Sequence, residues 1–176
     1  MAAGALTSPP TGALPAGGER HVKGNMPISG YSHLRLNHIG LVVESISQTA
    51  ETLRWLGLQV MTNTESDPIQ KVSARFVAAN REQDIYIELL EAADAQSPIA
   101  NFLRTRGGGL HHLCFEVDDL DAVAQELDGA GFQMVCSPVA CVGYDRVFER
   151  SCSHPTRIAF FLVSDELLIE LLQKGQ

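Results

Sequence analysis

One eight-residue pattern is written twice in the chain, as Leu36-Asn37-His38-Ile39-Gly40-Leu41-Val42-Val43 and as Leu110-His111-His112-Leu113-Cys114-Phe115-Glu116-Val117. Each is an apolar, strand-forming run interrupted at its third position by a histidine, which a strand built for packing alone would not select. The offset of 74 (112 − 38) persists downstream, pairing Ile46 with Leu120, Gly57 with Gly131, Gln59 with Gln133 and Val60 with Met134. An offset held over this distance predicts a duplicated unit.

Periodicity gives each copy the same order of elements. In the first, the strand at 36–43 precedes helically spaced Ile46, Ala50, Leu53 and Leu56, and Gly57 ends that helix. Short strands are expected at 58–61, 72–78 and 85–90, with a polar loop over 62–71. In the second, the strand at 110–117 leads into acidic Asp118-Asp119 and a helix through Leu120, Val123, Ala124 and Leu127, stopped at Gly131. Strands at 132–135, 158–163 and 167–172 follow, with a long irregular stretch at 137–155. The expected α+β domain spans 26–176, with module 1 over about 36–92, a linker helix at 97–106 opened by Ser97-Pro98, and module 2 over about 110–173. Residues 1–25, rich in Ala, Gly, Pro, Ser and Thr, read as a disordered tail.

With 176 residues, 45% of them hydrophobic, the chain can bury one ordinary core or two small fused ones. The net charge of −8 and the lack of any basic run argue against nucleic acid or an anionic membrane surface, which leaves small molecules or proteins as partners. No apolar run reaches the ~18 residues that span a bilayer, and no secretory h-region is present. The four cysteines form no C-x-x-C pair, so a reducing, cytoplasmic setting is expected, although the Ala-rich tail leaves organelle targeting open.

The last strands of the two copies share Ile87-Glu88-Leu89-Leu90 and Ile169-Glu170-Leu171-Leu172, each with a glutamate inside an apolar run. Strand alternation places His38, Glu88, His112 and Glu170 on the face away from the helices. Two imidazoles and two carboxylates are a donor set for a divalent ion such as Co²⁺, Mn²⁺, Zn²⁺ or Ni²⁺. The competing arrangement pairs each glutamate with an arginine such as Arg75 or Arg157. Alternation turns His111 to the opposite face, as a structural residue, and makes Cys114 a lining thiol. His33 and His154 fall in loops and His21 in the tail.

Together with Ser97-Pro98-Ile99-Ala100 and Gly109-Leu110-His111-His112-Leu113, these segments resemble the vicinal oxygen chelate (glyoxalase, bleomycin resistance, dioxygenase) superfamily, and within it the methylmalonyl-CoA epimerases most. The likeness covers about 36–172. It implies two tandem βαβββ modules forming a cupped, mostly antiparallel eight-stranded sheet with helices outside, paired within one chain or across a dimer, and a homodimer as the assembly. It also makes His38, Glu88, His112 and Glu170 the metal ligands. The activity implied is epimerisation of an acyl-CoA-type thioester, in which a carboxylate removes the proton beside the thioester and the metal lowers the cost of the enolate. Glu170 can then serve as both ligand and acid/base group.

Two departures bear on the chemistry. The family's P-E-x-G-V loop reads Pro68-Ile69-Gln70-Lys71-Val72 here, with an apolar side chain where the catalytic glutamate belongs, and Glu65, Asp67 and Lys71 are the replacement candidates. The family's F-L-H-P loop is also missing, and His154-Pro155 does not align with it. Alternatives are a divergent lyase or tailoring enzyme of secondary metabolism, and a protein that sequesters a ligand without turnover.

Overall fold

A computed structural model describes residues 34–68, 70–80, 85–163 and 167–176. The expected tail, His21, His33 and Ile69 lie outside the described residues. The elements run β1 (Arg35–Val42), α1 (Ile46–Trp55), β2 (Gln59–Val60), β3 (Glu65–Asp67), β4 (Val72–Ala78), β5 (Tyr86–Ala92), α2 (Pro98–Arg106), β6 (Gly109–Glu116), α3 (Leu120–Gly129), β7 (Gln133–Ala140), α4 (Val142–Val147), β8 (Arg157–Leu162) and β9 (Leu168–Gln173). No helix among the described residues is long and apolar enough to cross a membrane.

The two module helices start and stop for the same reasons. Ser45 caps α1 by accepting from the Gln48 amide, and Asp119 caps α3 by accepting from the Ala122 amide at 3.0 Å. Beyond each helix, Gly57 and Gly131 take φ of +91° and +88°, a conformation that side chains resist. α2 ends on left-handed Gly107, but the hydroxyl of Ser97 at its N-cap makes no capping bond and is buried without a partner.

The strands form one nine-stranded sheet in the order β2-β4-β5-β1-β6-β9-β8-β7, with β3 paired to β4. β1 runs parallel to β5 and β6 parallel to β9, and the remaining pairings are antiparallel. The two modules therefore meet through β1 and β6 within a single chain. The ninth strand, against the eight expected, is β3. Its three residues, Glu65-Ser66-Asp67, carry no apolar alternation by which the polar loop could be read as a strand.

Successive residues of a strand serve different cores. Val77 and Leu89 pack beneath α1, and Ala159, Phe161 and Leu171 beneath α3. Their chain neighbours Phe76, Phe160 and Leu172 point the other way, into a cluster with Cys114, Tyr144 and Val147. The last two belong to α4, so part of the stretch read as irregular folds into a short helix on the face opposite α1 and α3. Asp145 anchors it: one carboxylate oxygen accepts from the Thr156 amide (2.8 Å), the other from the Thr156 hydroxyl (2.6 Å) and from Arg150 (3.4 Å).

Candidate metal centre

Register along the joined sheet brings the repeated residues together. Gly40 lies between Glu88 on β5 and His112 on β6, and Cys114 between His38 on β1 and Glu170 on β9. The Nε2 atoms of His38 and His112 stand 3.1 Å apart. Glu170 Oε2 is 3.1 Å from the first and 3.0 Å from the second, and Glu88 Oε2 is 3.4 Å from both. Donors at about 2.0–2.2 Å from one ion, at tetrahedral or octahedral angles, are themselves about 2.9–3.6 Å apart, a spacing that the two imidazoles keep with each other and with each carboxylate. The donor atoms of His38, Glu88 and His112 all lie within 4.8 Å of one another. His38, His112 and Glu170 are at most 5% exposed.

The charges within the cluster support one another. Burial opposes charge on His38 and His112, yet the nearby carboxylates, together with the Cys114 sulfur in the case of His38, raise both above 6.5. Burial likewise opposes charge on Glu88 and Glu170, and the two imidazoles hold both below the usual carboxylate range. The competing arginine arrangement does not form. Arg157 makes a bidentate pair with Asp121 at 2.7 and 2.8 Å, and Arg75 Nε is buried without a hydrogen bond.

Two features beside the histidines were not anticipated. The β1–β6 register slips between Leu36 and His38 and again between Gly40 and Leu41, where Leu41 faces Leu110, so Asn37 and His111 are each an extra, bulged residue. A bulge interrupts alternation and re-aims side chains. Asn37 consequently faces the cluster with its Oδ1 2.9 Å from His38 Nδ1, and His111 turns its Nδ1 to within 3.0 Å of His112 Nδ1. The expectation that His111 points to the opposite face fails for this reason. The 74-residue offset that links Asn37 to His111 was visible in the sequence, but strict period-2 reading hides what a one-residue bulge does.

The replacement bases separate. Lys71, at φ 55°, turns to Asp94 (3.6 Å) and Gln96 and takes no part. Glu65 and Asp67 share one face of β3 and line a cavity of about 70 Å³ with Gln70, Phe76, Glu88, Tyr144 and Arg146. Cys114 lines the cluster as expected, within 4.8 Å of donor atoms of His38 and Glu170. His154 sits at the surface and exchanges backbone hydrogen bonds with Gln176.

Residues 37–149 match the Glyoxalase/Bleomycin resistance protein/Dioxygenase superfamily. The ethylmalonyl-CoA/methylmalonyl-CoA epimerase of Cereibacter sphaeroides is 33% identical over 111 residues, which are 62% of this chain and 80% of that protein. The mitochondrial methylmalonyl-CoA epimerase of Homo sapiens is 36% identical over 95 residues, which are 53% of this chain and 52% of that protein, so the chain spans about half of this relative's length. Among solved structures, a Streptomyces coelicolor methylmalonyl-CoA epimerase variant in complex with 2-nitronate-propionyl-CoA superposes with a TM-score of 0.65 at 27% identity, covering 81% of this chain and 98% of that one.

Proposed function

The chain belongs to the Glyoxalase/Bleomycin resistance protein/Dioxygenase superfamily, and from that membership we propose that it is a metal-dependent epimerase of a 2-substituted malonyl thioester of the methylmalonyl-CoA type. The observation that carries the reading is that the Nε2 atoms of His38 and His112 each lie within 3.4 Å of both the Glu88 and the Glu170 carboxylate, in a fold whose relatives include methylmalonyl-CoA epimerases. These four residues would hold the ion. A divalent ion bound there supplies the Lewis acidity that lowers the cost of an enolate beside a thioester.

Epimerisation needs one group to take the α-proton on one side of the carbon and another to return a proton on the opposite side. Glu65 is the acceptor we assign, because it lines the same cavity as Glu88 and stands on β3, just before the loop that has lost its family glutamate. Glu170, which would also be a ligand, is the second group we assign. Phe76 and Tyr144 wall the cavity against water, which strengthens the electrostatic interactions inside it.

A second reading is supported by α4. The helix packs Tyr144 and Val147 over the site face, as suits a protein that holds a compact ligand without turnover. Deuterium exchange from solvent into the α-carbon of methylmalonyl-CoA, with added Co²⁺, distinguishes the two. The epimerase reading expects exchange that Glu65→Gln slows about 10²–10⁴-fold. Tight metal binding with no exchange would leave the sequestering reading standing.

A further inference from the structure

We infer that Asn37 and His111, the two bulged residues, are matched positioning residues that fix the proton of each ligand histidine on Nδ1, and that Glu116 sets the orientation of the first. The inference rests on the metal-site reading above.

The orientation of Asn37 is set from the surface inward. Glu116 is gripped by Lys174 at 2.7 Å and Arg35 at 3.2 Å, so its carboxylate is ionised and can only accept hydrogen bonds. Asn37 Nδ2 lies 3.3 Å from Glu116 Oε2 and must be the donor there. The amide is thereby turned so that Oδ1 faces His38 Nδ1 at 2.9 Å, and an oxygen there requires a hydrogen on that ring nitrogen. The ring's Nε2 then faces the carboxylates and is the atom that a divalent ion would take. The Tyr144 hydroxyl, 3.3 Å from both Asn37 side-chain atoms, closes the arrangement.

The second module reaches the same end with a different residue. His112 Nδ1 is 3.0 Å from His111 Nδ1, and with the hydrogen on His112 the Nε2 of that ring is free for the cluster. His111 then accepts through Nδ1 and carries its own hydrogen on Nε2. The edge of Phe102, with ring centroids 5.2 Å apart, holds it in place. Both devices sit at bulges related by the 74-residue offset, so the duplicated unit carries its ligand together with the partner that orients it. Partners of this kind usually alter metal affinity about 10–100-fold when removed.

The test uses the full chain and two readouts. Long-range ¹H–¹⁵N correlations of the histidine rings in the Zn²⁺-loaded wild type report which nitrogen carries the hydrogen; Nδ1–H is expected for His38 and His112, and Nε2–H at His38 would overturn the inference with no variant needed. Chelator competition with Co²⁺ then gives affinity. Glu116→Gln, which lets the Asn37 amide turn over, and His111→Phe, which keeps the ring but removes the acceptor, should each weaken binding about 10–100-fold. His111→Asn, which copies the first module's device into the second, should restore it. Wild-type affinity in both Glu116→Gln and His111→Phe would overturn this inference alone. A wild type that binds no Co²⁺ would overturn the metal-site reading and this inference with it.

Discussion

A single missing side chain decides whether the two histidines can meet. A Cβ built on Gly40 would fall 2.2 Å from His112 Cε1, so the imidazole occupies the space that any other residue at this position would need. The equivalent position in the second module is Cys114, which is wholly buried and touches the cluster instead of yielding to it. Gly40→Ala is expected to weaken Co²⁺ binding at least as much as loss of an orienting partner, about 10–100-fold, with unfolding costs of about 1–3 kcal/mol measured in urea. Protonation gives a second expectation at this scale. The raised His38 and His112 contribute stability to metal-free protein that is fully present below pH 6.5 and lost as pH rises through their folded values. The lowered Glu88 and Glu170 contribute stability present above pH 4.5 and lost as pH falls through theirs. His111, lowered to about 4 chiefly by burial, costs stability as pH falls below 6.5, so metal-free protein is expected to melt highest near pH 6.5, whereas metal binding must displace the imidazole protons. The gap in melting temperature between Co²⁺-loaded and chelator-treated protein should widen from pH 6 to pH 8, and a gap that narrows would contradict the proposed ligands.

At the scale of elements, what could be read from the sequence depended on whether a segment obeyed one period throughout. β1, β6, α1, α3, β5 and β9 do so over most of their length, and Ser45, Asp119, Gly57 and Gly131 mark the helix ends by local chemistry. β3 has three residues and polar composition, and its existence depends on pairing with β4. α4 has six residues and no side-chain cap, and a tertiary network holds it. Asp145 is the centre of that network. Asp145→Ala should leave the Thr156 amide and the Thr156 hydroxyl proton without their acceptor, although that hydroxyl still accepts from the Gly175 amide, and cost about 2–3 kcal/mol in urea unfolding, while Asp145→Asn should cost less. The bulges at Asn37 and His111 belong to the same class: the residues were in plain view, but their direction is set by register against the partner strand.

For the whole molecule, the function of the repeat is to make a site that neither copy contains. Each module supplies one histidine and one glutamate, and the antiparallel join of β1 to β6 brings both imidazoles within 3.4 Å of both carboxylates, the arrangement on which the proposed site rests. The duplication and its four polar residues were legible from the offset and the resemblance, while the pairing of modules within one chain is a matter of strand topology that no local pattern states. The superfamily and the epimerase relatives agree with this architecture. The claim on which the rest depends is that these four side chains hold one divalent ion. Titration of chelator-stripped protein with Co²⁺, followed calorimetrically beside His112→Ala, tests it most directly. One tight equivalent in the wild type and none in the variant is the expected result. A wild type without stoichiometric binding, or a variant that binds equally well, would contradict it.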